Sequence, residues 1–271
     1  MVLGISSYTY PWAIGVSGFP QPRNPLTPEV LIARAAQMSV RLVQICDNMP
    51  LHRLEKGRIE KLRDLTESWD LEIEVGTRGV EETTLTRYLE IAKTLGARLV
   101  RSMINFSDEV PDRRTVRRSL KRVLPHYENA GIVLALENYE RHPCRYLADL
   151  VKSIRSPSLG VCLDTVNSYG ALETPGEAVR ILGRYTRSLH IKDFQILRSE
   201  SGLGFVVTGA PAGEGRLDVP DLLARMEKID KGIGAVLELW TPFQDSIEST
   251  VALETEWAER SLVNLRRLLD E

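Results

Sequence analysis

Four residues of metal-ligating type each stand at the end of a separate apolar run. Glu137 follows Val133-Leu134-Ala135-Leu136, Asp164 follows Gly160-Val161-Cys162-Leu163, His190 follows Ser188-Leu189, and Glu238 follows Ala235-Val236-Leu237. Carboxylates and an imidazole are costly to leave at a buried strand end without a partner. Three carboxylates and one neutral imidazole converging on a point make a seat for one divalent metal ion: Mn²⁺, Mg²⁺ or Co²⁺, with Zn²⁺ also accommodated. Taken singly, each of the four reads as an ordinary helix cap or ion-pair partner. As an ordered set they point to a metal centre.

The elements that would position these residues alternate along the chain. Strand-like runs cover residues 3–8, 40–46, 71–76, 97–103, 132–138, 159–165, 187–193 and 234–240. Several are near-continuously apolar, as expected for parallel strands covered on both faces. Amphipathic helices lie between them. The first runs from a Thr27 cap, with Pro28 in its first turn, to about residue 38; the next cover 54–69, 81–95 closed by Gly96, and 111–129 ending near Gly131. Then come 145–154, 175–182, 219–229 capped by Asp218, and 249–269. Eight strand–helix pairs over 271 residues, with no linker or low-complexity tract, predict an α/β fold: a single (β/α)8 TIM barrel forming one domain over residues 1–271. A doubly wound open sheet is the alternative. It would show a Gly-rich phosphate turn after the first strand, where Ile5-Ser6-Ser7-Tyr8 stands instead. Barrel enzymes work at the C-terminal ends of their strands, and the four ligands fall there on runs five to eight.

Composition narrows the classes further. A net charge of −2, from 35 basic and 37 acidic residues, gives no general pull toward nucleic acid or anionic membranes. The basic run Arg113, Arg114, Arg117, Arg118, Lys121 and Arg122 fits the wet face of the fourth predicted helix. Cys46, Cys144 and Cys162 are scattered and form no CxxC pair, which argues against a zinc knuckle or disulfide framework and for a reducing compartment. The start, MVLGISSYTY, lacks the features of a signal peptide, and no apolar stretch reaches the roughly 18 residues of a membrane helix. A cytoplasmic location is expected.

The segments LALENYE, VCLDTVN, LHIKD, GEGRLD and LELW, in this order and spacing, resemble the xylose isomerase-like TIM-barrel superfamily. That superfamily holds sugar isomerases and epimerases, inosose dehydratases and the endonuclease IV type of repair enzyme. The closest resemblance is to the single-metal ketose 3-epimerase and hydroxypyruvate isomerase-like branch. It implies that Glu137, Asp164, His190 and Glu238 hold the metal, and that Glu137 and Glu238 also form the catalytic acid/base pair. A metal ion on the carbonyl and neighbouring hydroxyl oxygens of a keto-sugar stabilises an enediolate. One glutamate removes the proton and the other returns one. Return to the opposite face epimerises, return to the next carbon isomerises, and loss of a leaving group or of CO2 makes the same site a lyase.

Departures from the branch bear on the substrate. Asn167 stands where a substrate-holding histidine is expected, Pro143 where a second glutamate is expected, and Ile196 where an arginine is expected, with Arg198 two residues on. Arg101, Arg141 and Arg145 are the candidates for binding a carboxylate or phosphate. The expected substrate contacts are Tyr8, Trp12, Arg101, His142, Asn167, Lys192 and Trp240. Lys192 lies two strand positions from His190 and so faces the same side; a salt bridge to Asp193 or to a glutamate is its alternative use. Trp12, Phe19, Trp240 and Phe243 are read as an apolar wall or as rim packing, Asn138 as a brace for the ligands, and residues 198–217 as a lid bringing Gly213 and Gly215 near substrate. His52 and His126 are read as exposed. The leading expectation is a metal-dependent isomerase or epimerase acting on a small carbohydrate. The alternatives are a dehydratase or decarboxylase using the same site and, remotely, an endonuclease IV-type nuclease or a non-catalytic metal binder. Nucleic acid and membrane are not expected partners; a homodimer or homotetramer is.

Overall fold

In the computed structural model, which describes residues 1–105 and 111–269, eight parallel strands close into a barrel. They are β1 (Val2–Ser6), β2 (Leu42–Ile45), β3 (Glu72–Gly76), β4 (Leu99–Ser102), β5 (Val133–Glu137), β6 (Leu159–Asp164), β7 (Thr186–Ile191) and, after a two-stranded hairpin of β8 (Asp193–Arg198) and β9 (Phe205–Ala210), β10 (Gly234–Leu237). Neighbours follow chain order around the ring, and β10 closes it against β1, with Val2 opposite Gly234 and Ile5 opposite Leu237. The eight barrel strands coincide with the eight predicted runs, each trimmed or shifted at its ends. The (β/α)8 expectation holds.

The helices form where caps and periodicity place them. They are α1 (Pro11–Ile14), α2 (Pro28–Gln37), α3 (Lys56–Ser68), α4 (Glu82–Leu95), α5 (Arg113–Ala130), α6 (Cys144–Ile154), α7 (Pro175–Leu182), α8 (Val219–Glu227) and α9 (Ile247–Leu269). Thr27 caps α2, Asp218 caps α8, and Gly96 and Gly131 close α4 and α5 in the left-handed conformation that glycine adopts without strain. Along α5, Val116, Leu120, Val123, Leu124 and Tyr127 are buried at helical spacing, while the six basic residues face outward, as expected for a solvated face. Each such buried Leu or Val is worth about 1.5–3 kcal/mol. Among the described residues, no helix is long and apolar enough to cross a membrane.

Three departures matter for the site. The first strand ends at Ser6 because side chains capture the backbone: Tyr8 N–H donates to Ser6 Oγ at 2.9 Å, and Ser6 N–H donates to Thr9 Oγ1 at 2.9 Å, folding residues 7–9 into a 3₁₀ turn. The expected lid at 198–217 is largely the β8–β9 hairpin and the turn after it. Gly213 and Gly215 do not approach a substrate: both N–H groups donate at 2.9 Å to the buried Asp193 carboxylate, and a Cβ on Gly215 would collide with that carboxylate. Asp193 is therefore spent on ordering its loop and is not the partner of Lys192. Finally, the short helix α1 was not anticipated. It is pinned from across the barrel rim by the fully buried Glu254 of α9, whose carboxylate oxygens accept from Trp12 N–H at 2.8 Å and Ala13 N–H at 3.0 Å.

Burial pushes the Glu254 carboxyl up from 4.5 to about 8. The folded chain therefore holds this proton more tightly than the unfolded chain, and the stability Glu254 contributes declines as pH rises from about 4.5 to about 8. Glu254→Gln cannot titrate, and it sets an amide N–H against one of the two backbone donors. It is expected to cost about 1–3 kcal/mol at low pH, and the gap to wild type should narrow as pH rises through that window. Thermal unfolding of both proteins across the window measures this, and a gap that does not change would contradict it.

Candidate metal and substrate site

Glu137 ends β5, Asp164 ends β6, His190 lies in β7, and Glu238 follows β10. The barrel register sets Asp164 beside His190, and Glu238 N–H donates to Ile191 O at 3.1 Å, which brings the Glu238 carboxylate to the same level. All four side chains are buried. His190 Nδ1 is the common point: 3.3 Å from Glu238 Oε1, 3.7 Å from Glu137 Oε2 and 3.9 Å from Asp164 Oδ2.

The three carboxylates are braced from outside. Asp164 Oδ1 accepts from the N–H groups of Val166 at 2.8 Å and Asn167 at 2.7 Å. Asn138 clamps the Asp164 backbone on both sides, accepting from its N–H and donating to its carbonyl, each at 2.8 Å, which is the bracing role expected for it. Glu137 Oε1 accepts from Asn167 Nδ2 at 2.8 Å, and its Oε2 accepts from Arg101 Nε. Glu238 Oε1 accepts from Ser6 Oγ at 3.3 Å. Lys192 Nζ stands 2.9 Å from Asp164 Oδ2 and 3.0 Å from Glu238 Oε2.

Burial raises the Glu137 carboxyl, and the Arg101 guanidinium pulls it back. Burial works the same way on Asp164, but Lys192 and His190 outweigh it and hold that carboxyl below its usual value. For Lys192 burial works against the charged form, but the facing carboxylates dominate and hold it charged, above the usual lysine range.

One buried atom in this cluster, His190 Nδ1, has no hydrogen-bond partner among the described residues, and Asp164 Oδ2 has only the Lys192 ammonium at 2.9 Å. Buried polar atoms are rarely left so, and both face the point where the carboxylates meet. The ligand atoms of Asp164, His190 and Glu238 all lie within 4.8 Å of one another, as do those of Glu137, Cys162 and His190. The oxygen-rich set suits a hard divalent ion. Cys162 also packs in a small apolar cluster with Leu99 and Ala135.

Above the cluster lies a cavity of about 260 Å³. Tyr8, Arg101, Asn167, Lys192, Glu137 and Glu238 line it, as expected, together with Arg78, Met103, Asn105, Tyr139, Glu140 and Arg141. Asp47, just behind this wall, went unrecognised in the sequence. It accepts from Arg101 Nη1 at 2.7 Å, Arg78 Nε at 2.7 Å and the Tyr8 hydroxyl at 3.1 Å. Asp47 directly follows the second apolar run, so the pattern that marked the four ligands could have marked it too.

Three expected substrate contacts serve elsewhere. His142 is buried, stacked on Tyr146 with ring centroids 4.5 Å apart. Trp12 packs against Phe19 and Phe243 and donates through Nε1 to Thr241 O at 2.7 Å, which makes this aromatic group rim packing. Trp240 Nε1 donates to Asp193 O at 2.8 Å and closes over Gly209. Arg145 points outward beside Asp149 and Lys152, and Arg198 covers Phe205 on the hairpin. His52 and His126 are exposed, as expected, although His52 Nδ1 lies 3.0 Å from the Tyr88 hydroxyl.

A family model described as xylose isomerase-like TIM barrel matches residues 32–261. The chain is 36% identical over 262 residues to a 3-oxo-isoapionate decarboxylase from Pectobacterium atrosepticum, covering 97% of this chain and 94% of that protein. Among solved structures, D-psicose 3-epimerase from Clostridium cellulolyticum H10, with D-tagatose, superposes with a TM-score of 0.74 at 16% identity, covering 100% of this chain and 99% of that one. The probable 3-DHS dehydratase AsbF from Bacillus anthracis superposes with a TM-score of 0.66 at 12% identity, covering 94% of this chain and 98% of that one. At these identities the two structures speak for the fold alone. The closed parallel barrel and the match over most of its length show that this chain belongs to the xylose isomerase-like TIM barrel family.

Proposed function

We propose that this chain is a divalent-metal-dependent lyase that decarboxylates a 3-oxo sugar acid, with Glu137, Asp164, His190 and Glu238 as metal ligands. The observation that carries the reading is the cavity wall: Arg78, Arg101, Arg141 and Lys192 face the same small space as Glu137, Glu140 and Glu238. With Arg101 and Lys192 paired to the buried carboxylates, the exposed Arg78 and Arg141 suit an anionic substrate better than a neutral ketose. The relative that is 36% identical is a decarboxylase of a 3-oxo acid, which supports the same choice. So do Asn167, Pro143 and Ile196, which stand where the epimerase-like branch would have other residues.

The chemistry follows from the positions. Arg78 and Arg141 draw in and orient the carboxylate. Arg101 and Lys192 offset the charge of the carboxylates around the substrate oxygens, so that the negative charge that gathers there is not repelled. A divalent ion bound by the four ligands would add Lewis acidity at those oxygens. The bond to the carboxylate carbon breaks, CO2 leaves, and the electron pair moves through the new C=C bond onto the oxo oxygen. The resulting enediolate takes up one proton at the carbon that lost CO2. Glu238 delivers that proton; its Oε2 lies 3.0 Å from Lys192 Nζ. Asn167 and Arg101 engage both oxygens of Glu137, so it serves mainly to hold metal and guanidinium in place; Glu238 is engaged by the longer 3.3 Å bond from Ser6 and by Lys192, an ammonium that can renew its proton. The second reading is a ketose epimerase or isomerase. It is favoured by the presence of both Glu137 and Glu238 in the lining of one cavity.

Turnover of a 3-oxo sugar acid in D2O separates the two. The decarboxylase reading expects stoichiometric CO2 and one deuterium at the carbon that lost it; the epimerase reading expects deuterium in recovered substrate and no CO2. Glu238→Gln is expected to lower kcat by about 10²–10⁴-fold, and chelation of the metal should abolish turnover. Arg141→Ala tests the anionic substrate separately. It should raise KM roughly 10–100-fold, the worth of one charge-assisted hydrogen bond, with a smaller effect on kcat. A KM that does not change in steady-state assays would remove the carboxylate from that end of the cavity.

A further inference from the structure

Beneath the ligands the barrel interior is polar, which is unusual for a packed core. Gln44 of β2, Glu74 of β3, and Ser188 and His190 of β7 are all buried and touch across the lumen. Glu74 Oε2 accepts from Gln44 Nε2 at 2.7 Å and from Ser188 Oγ at 3.0 Å. At the other end of the same amide, Gln44 Oε1 lies 2.8 Å from His190 Nε2 and accepts from Cys46 Sγ at 3.0 Å. Room for this chain is built in: a Cβ on Gly234 would come within 3.2 Å of Glu74 Oε1 and 2.6 Å of Leu42 Cδ2.

With Glu74 as a carboxylate, the state its donors Gln44 and Ser188 favour against the upward push of burial, the hydrogen bonds have one consistent direction. The Glu74 oxygen accepts twice, so Gln44 must turn its NH2 toward it. The Gln44 carbonyl oxygen then faces His190 and can only accept. The imidazole proton must therefore sit on Nε2, and Nδ1 keeps a bare lone pair. Nδ1 is the atom that lacks a hydrogen-bond partner and faces the three carboxylates.

We infer that Glu74 is a positioning residue: acting through Gln44, it selects the His190 tautomer that presents Nδ1 to the metal. The inference rests on the reading of His190 as a metal ligand. A buried carboxylate that merely filled the core would have no influence on which ring nitrogen carries the proton. Outer partners of ligand histidines typically change metal affinity by about 10–100-fold when altered.

The test uses metal-free, ¹⁵N-histidine-labelled protein and long-range ¹H–¹⁵N spectra, with His190 assigned by the signal lost in His190→Gln, followed by Co²⁺ titration calorimetry. Wild type is expected to show the Nε2–H form. Glu74→Gln lets both amides turn; it is expected to populate both tautomers and weaken Co²⁺ binding about 10–100-fold. The exchange variant, Glu74→Gln with Gln44→Glu, places the acceptor-only group directly on His190 Nε2 and should restore the single tautomer and most of the affinity. Melting temperatures report whether each variant folds; if Glu74→Gln does not, the exchange variant and Gln44→Leu, which removes the acceptor, carry the comparison. Glu74→Gln with wild-type tautomer and wild-type Co²⁺ affinity would overturn the inference. Wild type that fails to bind Co²⁺ would sink the metal reading instead, and the tautomer comparison would still decide the role of Glu74.

Discussion

The structure turns on the electrostatics of one buried point. Three carboxylates, Glu137, Asp164 and Glu238, meet around His190 Nδ1 within 3.9 Å. Two like charges about 4 Å apart repel by about 4 kcal/mol at an effective dielectric constant of 20, so such a cluster persists only with cations beside it. The chain supplies two. Arg101 is tied to Glu137, and Lys192 stands between Asp164 and Glu238. These offset two of the three negative charges. A divalent ion, under the proposed function, would more than cover the third.

The neighbouring wall extends this alternation of charge. Asp47 holds Arg101 and Arg78 in place, and Tyr8 caps Asp47. Arg78, Asp47, Arg101 and Glu137 thus form a line from the cavity mouth to its floor, each ion placed by the opposite charge beside it. Within a barrel this arrangement is economical. Strand ends from β2, β4, β5, β6, β7 and β10 meet around one axis, and loops need only fix the first residue or two after each strand. Thr165 and Asn138 show how: Thr165 exchanges hydrogen bonds with the Lys192 backbone at 2.7 and 2.9 Å, and Asn138 does the same with Asp164.

The convergence of Glu137, Asp164, His190 and Glu238 was legible in the sequence because each directly follows an apolar run, and strand ends are the place where a barrel exposes side chains to a common cavity. Lys192 was legible from alternation alone. What the sequence could not convey was direction and closure. Glu72-Ile73-Glu74-Val75 reads as a strand with one wet face, but in a closed barrel the face of Glu74 is the lumen, where it meets Gln44. Asp47 resembles a helix cap until Arg101, 54 residues away, is brought beside it. His142, Trp12 and Trp240 lie just past strands, as ligands do, yet nothing local sets which way a loop side chain turns. The hairpin was missed because its turn spans residues 199–204 and lacks a tight two-residue signal, while its strands leave Ile196, Leu197, Phe205, Val206 and Val207 exposed.

X-ray absorption at the metal edge of Co²⁺-loaded wild-type protein tests the central claim most directly. The proposed site predicts one bound ion with an inner shell of oxygen and nitrogen only, including the multiple scattering of a single imidazole. Sulfur scattering at about 2.3 Å would place the ion instead on the Glu137, Cys162 and His190 group. That result, or the absence of bound cobalt, would contradict the account.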